Sequence, residues 1–159
     1  MTVILSIEKL DNLQEKITLR EEIFPELYAQ DASMAGFLPG EKITYRDLLY
    51  GALLPSGAEC CIALAEGSCG SEKEFVSEMN EKAKKLGMKN THFVNTTGLH
   101  DDKHYTTVQD LSRLLCYAMK IKSFLRFSPH FFILCLLQIS IRKDLLFLAP
   151  YLRNWRGRV

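Results

Sequence analysis

Several kinds of protein are excluded by what this sequence does not contain. It has no run of about 20 apolar residues, the length that a membrane-spanning helix needs; the apolar stretch at 131–141 has eleven. None of its five cysteines forms a C-x-x-C pair, which argues against a zinc or thioredoxin-like site. Residues 1–8 lack the basic and long apolar regions of a signal peptide. The net charge of +1 gives no electrostatic footprint for nucleic acid.

Charge is unevenly distributed along the chain. Residues 120–159 carry eight Lys or Arg and one acidic residue, a net charge of +7, so residues 1–119 carry −6. Capped, amphipathic segments give way to an apolar run, 127–137, in the same region. We therefore predict a boundary near residue 122, followed by an apolar and basic tail at 123–159. This tail is either a surface for membranes or nucleic acid or sequence from a shifted reading frame or unrelated fusion, and we favour the second.

Three capping boxes mark helix starts before that boundary. In each box a Ser or Thr is followed three residues later by an acidic residue, and each of the two side chains bonds the other's backbone N–H. The boxes start at Thr44, Ser71 and Thr107 and predict helices that end near Leu54, Leu86 and Ile121.

Apolar residues recur at helical spacing in the second and third of these helices, so each helix should bury one stripe. The stripes are Phe75, Val76, Met79, Ala83 and Leu86, and then Val108, Leu111, Leu115 and Ala118. Further helical patterns occupy 3–10 and 56–66, and short extended pieces occupy 16–19, 42–43 and 91–94.

The turn between two helical patterns carries the most informative motif, Leu48-Leu-Tyr-Gly-Ala-Leu-Leu-Pro-Ser-Gly-Ala58. It resembles the second motif of the serine D-alanyl-D-alanine carboxypeptidases, the low-molecular-weight penicillin-binding proteins. Residues 36–44, 75–93 and 95–110 are similar to the same family in collinear order, so the resemblance covers about residues 1–122. It implies a mainly α structure: the helical subdomain of the DD-peptidase/β-lactamase-like α/β fold, with most of the sheet missing. The first helix and the apolar stripes are then expected to lack partners.

The family's chemistry needs three elements: S-x-x-K at a helix start, S-x-N between two helices and K-T-G on a strand. The first serine attacks the penultimate D-alanine carbonyl of a peptidoglycan stem peptide, and the acyl-enzyme is then hydrolysed. By resemblance, Ser56 is the proton-transferring serine of S-x-N. Ala58 replaces the motif asparagine, and a methyl group forms no hydrogen bond, so no substrate-binding residue is assigned. Met1-Thr2 resembles the residues just after S-x-x-K, and K-T-G occurs nowhere in the sequence. This chain is therefore expected to be inactive alone.

The resemblance also implies the setting of this chemistry. We expect no metal and no cofactor, a stem peptide ending in D-Ala-D-Ala as substrate, and β-lactams as ligands of the intact family enzyme only. Export to the cell envelope follows from the family, and membrane association would come through the family's C-terminal part. Two other functions stay open: a non-catalytic remnant or binding module, and a class A β-lactamase-like acyl-serine enzyme. Residues 36–44 and 85–99 favour the carboxypeptidase.

Some of these residues have simpler structural interpretations. Spacing alone makes Ser56 an N-cap of the helix that follows it. The four-residue spacing of His100 and His104 would suit a metal on a helix, but Gly98 and the intervening aspartates favour a loop. The remaining interpretations are a loop-stabilising hydrogen-bond pair for His92 and Asn95, and burial as small apolar core residues for Cys60 and Cys61.

Overall fold

The computed structural model describes residues 1–127. This part of the chain contains seven α-helices, one short 3₁₀ helix and one two-stranded sheet. The elements are α1 (Thr2–Lys9), β1 (Lys16–Thr18), the 3₁₀ helix (Glu21–Ile23), α2 (Phe24–Ala29), β2 (Lys42–Thr44), α3 (Tyr45–Leu53), α4 (Ala58–Cys69), α5 (Glu72–Lys85), α6 (Val108–Ala118) and α7 (Lys122–Phe127). The predicted mainly α fold is confirmed. Most of the predicted apolar and basic tail lies outside the described residues.

The three predicted capping boxes all begin helices. The hydroxyl oxygens accept backbone N–H groups as expected: Thr44 from Asp47 at 3.1 Å, Ser71 from Glu74 at 3.2 Å, and Thr107 from Asp110 at 3.2 Å. Helices α3 and α5 end within one residue of their predicted ends, whereas α6 ends at Ala118, three residues early.

Helix α4 forms the centre of the fold. Every residue from 58 to 65 is buried, and the helix packs against α1, α2, α3 and α5. It runs to Cys69, beyond the end predicted at 66, because Gly67 lies inside it. A Cβ at Gly67 would lie 2.4 Å from the ring of Tyr45, so the glycine lets α3 pack closely on α4. The helix ends at Gly70, whose φ of 82° is left-handed and suits a glycine C-cap.

The expectation that the first helix lacks partners is wrong. Residues 2–6 of α1 are buried, and the helix packs against α3, α4 and α7. Phe124 and Phe127 of α7 are themselves buried, and Phe127 meets the ring of Tyr50 edge-on, with 5.0 Å between ring centroids. Helix α7 thus covers α1 and α3 with residues that the sequence analysis assigns to the tail.

Helix α6 is turned away from its predicted orientation. Its predicted stripe is wrong at Val108 and Leu111, which are 83% and 47% exposed. Asp110, Leu114 and Ala118 are buried in their place. The physical reason is the hydrogen bonding of the Asp110 carboxylate, which is fully buried and fixes the rotation of the helix. The stripe of α5 is confirmed, since Phe75, Met79 and Ala83 are buried.

The sheet joins the two extended pieces that flank the 3₁₀ helix and α2. Strands β1 and β2 are antiparallel, and Ile17 pairs with Ile43. The extended piece predicted at 91–94 forms only one bridge, between His92 and Tyr105. Helix α2, which the sequence analysis does not predict, begins with a proline in its first turn, a position that proline tolerates. Within residues 1–127, no helix has both the length and the apolar character needed to cross a membrane.

Candidate functional site

Ser56 lies exposed in the turn between α3 and α4, in a backbone conformation that is unusual for serine. Its φ is +61°, in the left-handed region, which costs an L-residue roughly 1–2 kcal/mol. The hydroxyl forms no hydrogen bond with any residue in 1–127. The prediction that Ser56 caps α4 is wrong: the N-cap is Gly57, and no side chain bonds to it. The serine lies one residue too early, so its hydroxyl is free of a capping role.

The loop before β2 is attached to the start of α4, immediately after Ser56. The backbone N–H of Ala58 donates to the Ser33 carbonyl at 2.8 Å. The Glu59 carboxylate accepts two more backbone N–H groups from the same loop, Ala35 at 2.7 Å and Gly36 at 3.1 Å, both on Oε1. Glu59 is fully buried, and its Oε2 has no hydrogen-bond partner among residues 1–127.

Gly57, the second residue of the motif, is required by close packing. A Cβ built on it would lie 2.7 Å from the Ala35 Cβ, 2.9 Å from the Ala35 nitrogen and 3.0 Å from Glu59 Oε2. Real Cβ atoms do not approach backbone atoms this closely. On the other side of the turn, the Gly57 N–H donates to the Gly51 carbonyl at 2.9 Å. The turn is therefore fixed between α3 and the 33–36 loop.

The residue in the third motif position is packed into the core. Ala58 is 4% exposed and belongs to the main hydrophobic cluster. The next two residues after Glu59, Cys60 and Cys61, are also buried, which confirms their interpretation as core residues. Burial, with the nearby Glu59 charge, raises the pKa of Cys60 above its ordinary value and that of Cys61 to about 12. These thiols therefore carry little thiolate at neutral pH and are poor nucleophiles.

The S-x-x-K spacing does occur in α1, at Ser6 and Lys9, outside the resemblance to the family. Ser6 is fully buried, and its hydroxyl oxygen has no partner among residues 1–127. The Lys9 ammonium instead lies 3.6 Å from the Glu78 carboxylate at the surface. A buried serine whose lysine is paired elsewhere does not form a nucleophile and base. A second such spacing, at 140–143, lies outside the described residues.

Residues 90–107 form a loop that buried polar side chains fasten to the helices. Asn80 of α5 bonds both backbone groups of Phe93: its Nδ2 donates to the carbonyl at 2.8 Å, and its Oδ1 accepts the N–H at 2.9 Å. The Asp110 carboxylate accepts from the Asn90 N–H at 2.8 Å and the Thr91 hydroxyl at 2.9 Å. These anchors explain why the loop holds its shape without a strand.

The same loop reaches the start of α1. Glu72 accepts the Thr96 backbone N–H at 3.0 Å and its hydroxyl at 2.6 Å, and the Thr2 hydroxyl donates to the Thr96 carbonyl at 2.8 Å. The N-terminal end of α1, which the resemblance places next to S-x-x-K, therefore contacts residue 96. Asn95 stabilises the loop locally, since it accepts the Gly98 N–H at 2.8 Å.

His92 and Asn95 do not form the predicted pair. His92 instead exchanges two backbone hydrogen bonds with Tyr105, of 2.8 and 3.0 Å. The prediction of a loop at 100–104 is correct. Within residues 1–127, no cluster of three or more His, Cys, Asp or Glu could hold a metal ion.

A groove of about 720 Å³ lies between α2, α4 and residues 95–101. Its lining is mostly polar and does not include Ser56. Arg20 and Glu66, on its walls, form an ion pair. The groove is therefore separate from the Ser56 turn.

The fold and the turn together define a class: the helical part of a DD-peptidase-like domain, with the second-motif serine at the start of its central helix. The chain belongs to the D-alanyl-D-alanine carboxypeptidase family, peptidase family S11, whose sequence pattern matches residues 1–129. Because this match passes residue 122, the predicted boundary there stays a prediction.

Individual relatives agree with this assignment. The chain is 40% identical over 132 residues to the D-alanyl-D-alanine carboxypeptidase DacF of Bacillus subtilis, an alignment that covers 80% of this chain and 33% of DacF. It is 38% identical over 120 residues to a Streptomyces K15 carboxypeptidase, covering 71% of this chain and 41% of that protein. The chain thus spans about a third to two fifths of the length of these relatives.

Solved structures show the same likeness. The crystal structure of the Streptomyces K15 DD-transpeptidase matches with a TM-score of 0.74 and 33% identity, over 79% of this chain and 51% of that one. A Mycobacterium tuberculosis D-alanyl-D-alanine carboxypeptidase matches with a TM-score of 0.68 and 26% identity, over 80% and 47%. The helical subdomain predicted from the sequence is therefore the part of the fold that this chain contains.

Proposed function

We propose that this chain supplies the second-motif corner of a peptidoglycan-processing serine D-Ala-D-Ala carboxypeptidase, with Ser56 as its proton-transferring serine. The observation that carries the proposal is the left-handed φ of +61° at an exposed serine whose hydroxyl has no partner in residues 1–127. Strained backbone of this kind costs about 1–3 kcal/mol and persists where the surrounding structure over-determines it, often at functional sites. A turn that needed only to connect two helices would have no use for it.

The proposed role follows from the chemistry of a hydroxyl. Ser56 both donates and accepts hydrogen bonds, so it can pass a proton from the attacking serine to the amine of the leaving D-alanine. The attacked carbonyl belongs to a stem peptide that ends in D-Ala-D-Ala, and the acyl-serine intermediate is then hydrolysed. Ala58 cannot hold the substrate, so that contact must come from another part of the enzyme. The proposed place of action is the cell envelope.

We expect no turnover from these residues alone. The only S-x-x-K spacing in residues 1–127 has a buried serine, and the sequence contains no K-T-G. A fluorescent penicillin should therefore leave no label on the 159-residue chain after denaturation. A labelled band on the denatured chain would show that an acylable serine is present and would contradict this expectation.

A chimera tests the proposed role of Ser56 itself. Residues 1–122 of this chain would replace the matching stretch of the Bacillus subtilis relative, which would supply the other two motifs. D-Alanine release from a D-Ala-D-Ala peptide is the assay. The Ser56→Ala chimera should lose at least tenfold in kcat, because proton transfer by a positioned group contributes roughly 10²–10⁴-fold. Ser77→Ala, an exposed change on α5, should have no effect. A folded chimera whose activity is indifferent to Ser56→Ala would refute the role.

Two alternative functions make different predictions in the same experiments. A class A β-lactamase-like enzyme would hydrolyse penicillin rather than release D-alanine; the relatives reported above are D-alanyl-D-alanine carboxypeptidases and a DD-transpeptidase, which favours the peptidase. A non-catalytic remnant would give a folded chimera that releases no D-alanine.

A further inference from the structure

We propose that Glu59 is a positioning residue that holds Ser56 in its left-handed conformation. The inference rests on the proposed function, because it matters for catalysis only if Ser56 transfers protons. Glu59 follows Ser56 by three residues but does not face solvent: the side chain is fully buried in the first turn of α4. Its partners are the backbone N–H groups of Ala35 and Gly36.

A buried carboxylate requires a reason to be retained. Removing an unpaired charge from water costs several kcal/mol, which only good hydrogen bonds offset. Glu59 has them on one oxygen alone, where both donors bind Oε1, whereas Oε2 has no partner among residues 1–127. An apolar side chain would fill the same volume without this cost, as the buried residues that follow in α4 do. The retained carboxylate therefore has a specific task, which is to bind the 33–36 loop.

That task bears directly on the conformation of Ser56. The serine has no side-chain hydrogen bond within 1–127 that could hold its φ positive, so its neighbours must impose it. Glu59 draws Ala35 against Gly57, where a Cβ would come within 2.7–3.0 Å of Ala35 and Glu59. The Ala58 N–H is held by the same loop. With residues 57–59 fixed in this way, relaxation of Ser56 to a negative φ would have to displace the loop.

The test uses the full 159-residue chain and reads the backbone of Ser56 by NMR. The readouts are the three-bond HN–Hα coupling and Cβ shift of Ser56, and the exchange rates of the Ala35 and Gly36 amides. Glu59→Gln retains an oxygen acceptor and should preserve all of them. Glu59→Leu fills the volume without an acceptor. It should average the Ser56 coupling and raise amide exchange at both loop positions at least tenfold.

Two further variants keep the outcome decisive. Glu59→Asp retains the charge but is one methylene shorter, so it should behave like Glu59→Leu even if the leucine variant does not fold. Phe75→Leu weakens the core elsewhere and should leave the Ser56 coupling unchanged, which separates positioning from general destabilisation. A wild-type Ser56 coupling in both Glu59→Leu and Glu59→Asp, or equal loss in Glu59→Gln, would overturn the proposal. These measurements do not depend on D-alanine release, so an inactive chimera would refute the proposed function without deciding the role of Glu59.

Discussion

Replacing Ser56 with glycine should make the protein more stable, which is the reverse of the usual effect of a glycine substitution. The φ of +61° costs an L-residue about 1–2 kcal/mol, and glycine adopts it freely. Against this gain, glycine adds about 0.4–1 kcal/mol of conformational entropy to the unfolded chain. The serine hydroxyl has no bond within 1–127 to lose. The net expectation is a stabilisation of about 0.5–1 kcal/mol.

Urea unfolding at neutral pH measures this difference as a shift in midpoint at constant slope. The thermal midpoint should rise by about 2–4 °C per kcal/mol for a chain of this size. Ser56→Ala is the matched control: alanine retains the Cβ and therefore the strain, so no gain is expected. Ser77→Gly, at an exposed position within α5, should instead lose about 0.5 kcal/mol, the difference in helix propensity.

The reasoning would be refuted if Ser56→Gly were no more stable than Ser56→Ala. That result would mean that the left-handed conformation is not held in solution, and the argument from strain to function would lose its basis. If the gain is found, the same substitution in the chimera should abolish the contribution of Ser56 to D-alanine release. A more stable but less active variant is the expected signature of strain retained for function.

Three further predictions concern the scaffold. Asn80→Ala leaves both backbone groups of Phe93 without partners and should cost about 2–3 kcal/mol in urea unfolding, with Asn80→Asp intermediate; a loss below about 0.5 kcal/mol would contradict the anchoring role. Burial lowers the pKa of His104, so the unfolded chain takes up its proton first and stability should fall as the pH drops below about 6.5; His104→Gln should flatten that part of the urea-midpoint profile. Burial alone would lower the pKa of Lys82, but its bonds to Glu8 and Tyr117 raise it overall. Its contribution should therefore persist up to about pH 10.4 and disappear above that, and the thermal midpoint of Lys82→Met should lack this alkaline loss.

The helix starts were predictable because the signals for them are local. A capping box brings together two side chains and two N–H groups within four residues, so no distant contact is needed to form it. The stripe of α6 failed for the opposite reason. Its rotation is fixed by bonds from Asn90 and Thr91 to Asp110, and the spacing of apolar residues within the helix carries no trace of them. The covering of α1 by α7 likewise depends on chain packing at long range.

The candidate site divides in the same way. Resemblance to the family located Ser56, but spacing alone made it a helix cap, because nothing local distinguishes Ser-Gly before a helix from a cap. The positive φ of Ser56 depends on the loop at 33–36, which is more than 20 residues away in the sequence. Glu59 was overlooked, although one signal was available: a carboxylate in the first turn of a helix that is otherwise apolar up to residue 65. Such a residue is either exposed or bonded, and its apolar neighbours favour the second.

The loss of the motif asparagine appears different once the packing is considered. Ala58 is not a truncated side chain at a solvent-facing site: its methyl group is 4% exposed and lies in the core, between a serine that faces solvent and a glutamate that does not. Its neighbours Gly57 and Glu59 are fastened to the 33–36 loop through backbone groups and a carboxylate, none of which depends on the side chain at 58. The strain at Ser56 can therefore be maintained with alanine there, because the elements that impose it are independent of the third motif position. What the substitution removes is a contact to the substrate, and the geometry that presents the serine remains in place.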